Sequence, residues 1–231
     1  MKQYLYEMHL HTSESSLCGK VSGAEHARFY KALGYDGICI TDHFLNGNAV
    51  RHSEIPWTEQ IDRFESGYLA AKAEGERIGL KVFFGWENSI SSGMHLLTYG
   101  LGADFLRAHP EVLHASCADY CSLVHENGGV IIQAHPYRLA SYVSLIQLDP
   151  RNTDAIETDN AGNDGRANRL AASYAEEYGF PVSCGSDNHT DRLLRYAAIA
   201  SPVPFESIGE LTEAILSHRV TLTSVYPPSE S

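Results

Sequence analysis

The sequence predicts an α/β barrel. Three observations predict it. Short apolar runs alternate with amphipathic stretches along 231 residues. Four of these runs repeat one unit, in which a glycine leads through apolar residues to a histidine or a carboxylate: Gly34 to His43, Gly79 to Glu87, Gly128 to His135 and Gly179 to Asp187. No glycine-rich phosphate loop follows the first run, as an open doubly wound sheet, the alternative, would lead one to expect. In each unit the glycine relieves the left-handed end of a helix, and the run has the length and composition of a strand buried on both faces. Strands alternating with helices imply right-handed crossovers and a parallel sheet, which closes into a barrel with its chemistry at the C-terminal strand ends.

The elements follow in order. A strand over residues 4–9 ends in His9-Leu10-His11, and a helix over 22–33 opens on the capping box Ser22-Gly23-Ala24-Glu25. A strand at 37–41 runs into Asp42 and His43, and Ile61, Phe64 and Tyr68 give helical spacing to 58–78. Strands at 81–86 and 95–99 bracket Glu87 and begin at His95; a helix at 111–127 precedes a strand at 130–134 that ends at His135. A strand at 154–157, a helix at 165–178 and a strand at 181–184 lead to Asp187 and His189. A strand at 197–200, a helix at 206–217 opening on a second capping box, Ser207 to Glu210, and a strand at 220–224 complete the pattern. Residues 225–231 read as a frayed, flexible tail on a single domain spanning 1–231.

Seventeen lysines and arginines against 29 acids give a net charge of −12. So acidic a surface repels phosphate backbones, and no stable nucleic acid partner is expected. A small anionic substrate is compatible with it where bound cations dominate the local field. The N-terminus does not read as a signal peptide and no apolar stretch approaches membrane-spanning length, so a cytoplasmic protein without a membrane partner is expected. Five scattered cysteines suit reduced thiols. Cys117 and Cys121, one helical turn apart, read as core residues before they read as a metal pair.

His9 and His11 share one face of a strand and can reach one ion. Together with the other strand-end residues they form a set of imidazoles and carboxylates of the kind that zinc, manganese or iron takes at an open site. A packing explanation would need each apolar run to end in such a residue by coincidence. Glu87 follows Trp86 and a nearly apolar strand, so its charge needs partners or a metal; a solvated loop glutamate is the alternative. For His135, before Pro136, the rival is a core histidine, and for His95, before Leu96 and Leu97, an ordinary strand residue. Arg138 and Arg192, each three residues beyond a strand-end histidine, are candidates to hold a phosphate oxygen through the guanidinium fork, with plain surface arginines as the alternative. Asn160 is a weaker candidate of the same kind. His26, His52, His109, His114, His125 and His218 have no strand-end context and are read as structural or solvated.

The ordered set His9-Leu10-His11, Thr41-Asp42-His43, Glu87, His95, Ala134-His135-Pro136 and Ser186-Asp187-Asn188-His189 resembles the PHP family, the polymerase and histidinol phosphatase superfamily. The resemblance implies a distorted (β/α)7 barrel holding two or three divalent ions of zinc, manganese or iron. It implies one site from His9, His11, Glu87 and Asp187, a second from the bridging Glu87 with His95 and His135, and a third from His43 and His189. Cys18 stands where that family usually has aspartate or histidine, and as a thiolate it is a candidate ligand of the third ion, with Glu14 as a substitute. The implied activity is histidinol-phosphatase-like hydrolysis of a small phosphomonoester or phosphodiester by a metal-activated water, with His43 or His189 protonating the leaving oxygen. Two other functions stay open. One is amidohydrolase-type C–N hydrolysis, whose common bridging lysine has no counterpart among Lys2, Lys20, Lys31, Lys72 and Lys81. The other is a non-catalytic metal-binding module.

Overall fold

The structure, a computed structural model, describes residues 2–91, 93–190 and 192–227. Nine strands lie where nine apolar runs predict them: β1 (Tyr4–Glu7), β2 (Gly37–Ile40), β3 (Lys81–Ser91), β4 (Met94–Tyr99), β5 (Val130–Ala134), β6 (Ala155–Asn160), β7 (Val182–Gly185), β8 (Tyr196–Ser201) and β9 (Thr221–Val225). They form one sheet in the order β7-β6-β5-β4-β3-β2-β1-β8-β9. Just beyond β1 and β7, Leu10 bridges Asn188 in parallel, with His11 N donating to Asn188 O at 3.0 Å. That bridge brings the β7 side of the sheet round to β1 and gives a nearly closed barrel.

The sheet is not wholly parallel, which corrects the expected alternation. β1, β2 and β3 are parallel, as are β5, β6 and β7, but β4 is antiparallel to both neighbours, and β8 and β9 are antiparallel to the strands they join. The reason is chain length. Only two residues separate β3 from β4, whereas a parallel crossover needs about a dozen. The reversal puts the start of β4 at the end of the barrel where the parallel strands finish. His95, out of place in an all-parallel sheet, thereby joins the other candidate ligands.

Helices α1 (Gly23–Ala32), α2 (Trp57–Phe64), α3 (Ser66–Ile78), α4 (Ala103–Ala108), α5 (Cys117–Glu126), α6 (Gly165–Tyr178) and α7 (Ile208–Leu216) fill the longer connections. The glycines that predicted helix ends, Gly34, Gly79, Gly128 and Gly179, all have φ between 70° and 89°. Ser22 and Glu25 form a reciprocal capping box on α1. On α7 the box is half made: Ser207 accepts from Glu210 N, but the Glu210 carboxylate turns to Glu206 N at 2.7 Å. The single helix expected at 58–78 breaks at Glu65 into α2 and α3. The one expected at 111–127 starts as a 3-10 turn, Pro110–Leu113, before α5, which Ser116 caps. The short α4 was not foreseen. Val225, the first residue of the expected tail, still pairs with Tyr196, and 228–231 lie outside the described residues.

Met8, Cys39, Leu97, Tyr99, Ile132 and Cys184 fill the barrel, with Leu211 and Ile215 of α7 packed on the same cluster. Outside it, Trp86 is fully buried, stacks on Phe105 and donates its indole N–H to the Tyr120 hydroxyl at 2.7 Å. A rigid tryptophan thus anchors the strand segment that carries Glu87. All five cysteines are free, and no helix among the described residues is long and apolar enough to cross a membrane.

Candidate metal centre

Each candidate ligand is aimed by its local backbone. His9 and His11 alternate along the extension of β1. Glu157 Oε1 lies 2.9 Å from His9 Nδ1 and fixes that nitrogen as the N–H, which leaves Nε2 with its lone pair turned to the cavity. His9 Nε2, His11 Nε2 and Asp187 Oδ1 lie within 3.1 to 3.5 Å of one another. Asp187 and His135 carry positive φ, 51° and 30°. Such backbone costs about 1–3 kcal/mol when strained and clusters at functional sites. His135 is held there by its N–H donating to Glu157 Oε2 at 2.7 Å.

Glu87 is the hub. Its Oε1 is 2.9 Å from His95 Nδ1, 3.0 Å from His135 Nε2 and 3.5 Å from His9 Nε2. Its Oε2 is 2.5 Å from His43 Nδ1 and 3.7 Å from His11 Nε2. A fully buried carboxylate therefore meets five imidazoles. Burial opposes its charge, but the histidines, His95 and His43 foremost, outweigh burial and hold Glu87 well below the usual carboxylate range. Asp187 is depressed in the same way by Arg138 and His9. Opposed shifts run through the imidazoles. Burial and then the neighbouring His43 and His189 push His11 well down, while at His9 the Asp187 and Glu157 carboxylates overcome burial and raise it.

This donor set fits divalent ions. His43 Nδ1 and Glu87 Oε2 are buried and close, yet neither has a hydrogen-bond partner of acceptable geometry, which leaves both free to face a cation. Three groups converge tightly enough to share an ion each: His9, His11 and Asp187; His9, Glu87 and His135; His11, His43 and His189. Cys18 joins the last of these, hydrogen-bonded to His189 and His43; although burial opposes it, these contacts lower its thiol to about 6. His189 Nδ1 is tied to the Asp187 carbonyl at 2.9 Å, so Nε2 faces the cavity.

The cavity over these groups measures about 470 Å³ and is lined by Cys18, His43, His95, His135, Asp187 and His189 together with Asn48, Ser89, Arg138 and Tyr142. Arg138 is thus at the predicted place, but its fork is filled: Nη1 pairs with Asp187 at 2.5 Å, Nη2 donates to Asn160 at 3.0 Å and Nε to Asn163 at 2.7 Å. Asn160 is fully buried and is spent in the same way, since its amide donates to Glu157. Arg192 does not line this cavity. It borders a neighbouring groove with Lys20 and Arg28, because the chain after His189 turns outward.

Two buried carboxylates escaped the sequence reading. Glu157, at the end of an apolar run like the other ligands, holds His9, His135 and Asn160 at once. Its position in the same strand-end pattern was the available signal. Glu7, fully buried, accepts from His9 N at 2.9 Å and from both the N–H and the hydroxyl of Ser186. Burial raises it from 4.5 to about 7. The folded chain therefore binds this proton more tightly than the unfolded chain does, so Glu7 makes stability fall as pH rises between 4.5 and 7. The expected result is a flatter pH profile of unfolding free energy for Glu7→Gln, by up to about 3 kcal/mol across that window in urea titrations. Parallel profiles would contradict it. Of the histidines read as structural or solvated, His26 supports the site, its Nε2 lying 3.1 Å from the His11 carbonyl, and His52, His109 and His125 pair with surface carboxylates.

Comparison with known proteins agrees with this fold. Residues 165–220 match a family model described as PHP-associated. No curated protein matches the chain. Among solved structures, it is similar to a protein of Bifidobacterium adolescentis assigned as a metal-dependent phosphoesterase (TM-score 0.58, 16% identity, 94% of this chain and 96% of that one). It is also similar to a two-domain protein of Bacteroides vulgatus containing a domain assigned as a PHP-like metal-dependent phosphoesterase (0.68, 15%, 96% and 65%). A third is the lesion-specific endonuclease EndoQ of Pyrococcus furiosus (0.59, 14%, 94% and 56%). At these identities the likeness is one of fold.

Proposed function

We propose that the chain belongs to the PHP superfamily, on the support of its fold and its matched segment, and that it is a metal-dependent phosphoesterase acting on a small phosphorylated substrate. The observation that carries this is Glu87, a buried carboxylate shared among five histidines. His9, His11, Glu87 and Asp187 would hold one ion, Glu87, His95 and His135 a second, and His43, His189 and Cys18 a third. Bound there, divalent ions lower the pKa of water toward neutrality and offset the charge of a phosphate. The chain's own residues orient and transfer protons. Glu157 keeps the His9 lone pair facing the cavity. With the third ion absent, His189, whose Nδ1 is committed to the Asp187 carbonyl and whose side chain is more exposed than that of His43, is placed to donate from Nε2 to the leaving oxygen. Arg138, its hydrogen bonds already spent, adds positive charge to the cavity wall and positions Asp187. The cavity volume and the net charge of −12 favour a small ester over a nucleic acid.

The test is a substrate panel on metal-stripped protein reconstituted with manganese, zinc or iron. It holds phosphomonoesters, phosphodiesters, a DNA duplex with an abasic site and cyclic amides. Turnover of a small phosphoester only after reconstitution is expected. The reading fails if loaded protein is inert on every phosphoester, or if His9→Ala alters neither metal content nor turnover. Cyclic amide hydrolysis alone would favour C–N chemistry, and fewer than two tightly bound ions a non-catalytic module. Cys18 has its own readout. Cobalt-substituted protein should show a near-ultraviolet sulfur-to-metal charge-transfer band that Cys18→Ser loses, and a spectrum unchanged by that substitution would remove Cys18 from the ligand set.

A further inference from the structure

We infer that Tyr142 is a stacking platform for the leaving group, so that the substrate is a phosphate ester of a flat, ring-bearing alcohol; this deepens the phosphoesterase reading and rests on it. The ligand floor accounts for the phosphate, and the walls must account for the rest of the molecule. Tyr142 is the one aromatic side chain besides the histidines among the described residues lining the cavity. Half of it is exposed, 50%, and its ring lies parallel to the His95 imidazole, 5° between planes and 6.3 Å between centroids. Beside it on the wall, Arg138 is held in place by Asp187, Asn160 and Asn163. A half-exposed ring on the cavity wall, aligned with an imidazole of the ligand floor, offers a face for offset stacking.

The surroundings agree. On the same connection from β5 to β6, Leu139 is 70% and Leu145 63% exposed. Arg138 is the one lysine or arginine among the described lining residues, and it is already paired, which leaves no free cation for a second phosphate in this cavity. With an exposed aromatic ring and no unpaired cation, the wall matches the ring of an aryl or heterocyclic alcohol rather than a sugar polyphosphate.

The experiment uses the full chain reconstituted with metal and two non-hydrolysable probes, phenylphosphonate and methylphosphonate, titrated by calorimetry. The parent should bind the phenyl probe about two- to twelvefold tighter, the range an aromatic pair supplies. Tyr142→Phe should keep that preference, and Tyr142→Leu should erase it. In turnover, Tyr142→Leu should raise KM for phenyl phosphate relative to glycerol 2-phosphate by a similar factor. Equal weakening of both probes would show that Tyr142 acts through Arg138 and not on the ring, which overturns the inference. So would a parent that binds both probes alike while turning over phosphoesters, and in that case the phosphoesterase reading survives. If neither probe binds and no phosphoester is hydrolysed, the phosphoesterase reading fails and takes the inference with it.

Discussion

Glu87→Gln is expected to lower turnover by about a thousandfold or more, the scale of losing metal-ion charge stabilisation, and to leave purified protein short of at least two ions. Glutamine matches glutamate in shape, so Trp86, Phe105 and Tyr120 keep their packing and the strand keeps its register. What changes is electrostatic. One oxygen becomes an NH2 donor facing imidazole nitrogens, and the negative charge that five histidines surround disappears from a site with no exposure to water. Each proposed ion loses either a direct ligand or the charge next to its ligands. Metal content by elemental analysis and turnover under saturating metal would check this together. A variant that retains the parent's ions and rate would show that Glu87 is a structural hub and not a bridging ligand.

Gly185→Ala should weaken metal affinity by about 10- to 100-fold, the range for disturbing the groups behind a ligand, and should cost about 1–3 kcal/mol of stability through overpacking. A Cβ at Gly185 would sit 2.3 Å from the His9 Cβ, 3.0 Å from His9 N and 2.7 Å from Glu157 Oε1. Two of these atoms are tied to main chain and cannot swing away, so His9 and the carboxylate that orients it must move together. Gly102→Ala, with nothing within 4 Å of the added carbon and φ of −99°, is the control and should leave both quantities near the parent's. Metal titration and chemical denaturation decide the matter. An unaltered affinity in Gly185→Ala would mean that His9 tolerates displacement and is not a ligand.

Much of this was legible along the chain because buried strands and glycine helix ends leave local marks. The nine apolar runs became nine strands, and His9, His11, His43, Glu87, His135, Asp187 and His189 stand at one rim. The failures share a cause, in that they depend on partners distant in sequence. Glu157 reads locally as a strand end, and its role comes from His9, 148 residues away. Arg138 reads as a free guanidinium until Asn160, Asn163 and Asp187 close on it. β4 is a different case. The spacing between Glu87 and His95 already ruled out a parallel crossover, and counting those residues would have turned His95 from an exception into a member of the rim.

The Leu10–Asn188 bridge has one more consequence. Four of the candidate ligands flank that seam, His9 and His11 on one side and Asp187 and His189 on the other. An ion held across it is a clasp on the joint where the barrel closes, linking chain segments nearly the whole length of the fold apart. Loading and closure then become a single equilibrium, in which ions at a hundred times their dissociation constant add about 2.7 kcal/mol to the closed form. The same ions that would activate water would also keep the two ends of the barrel together.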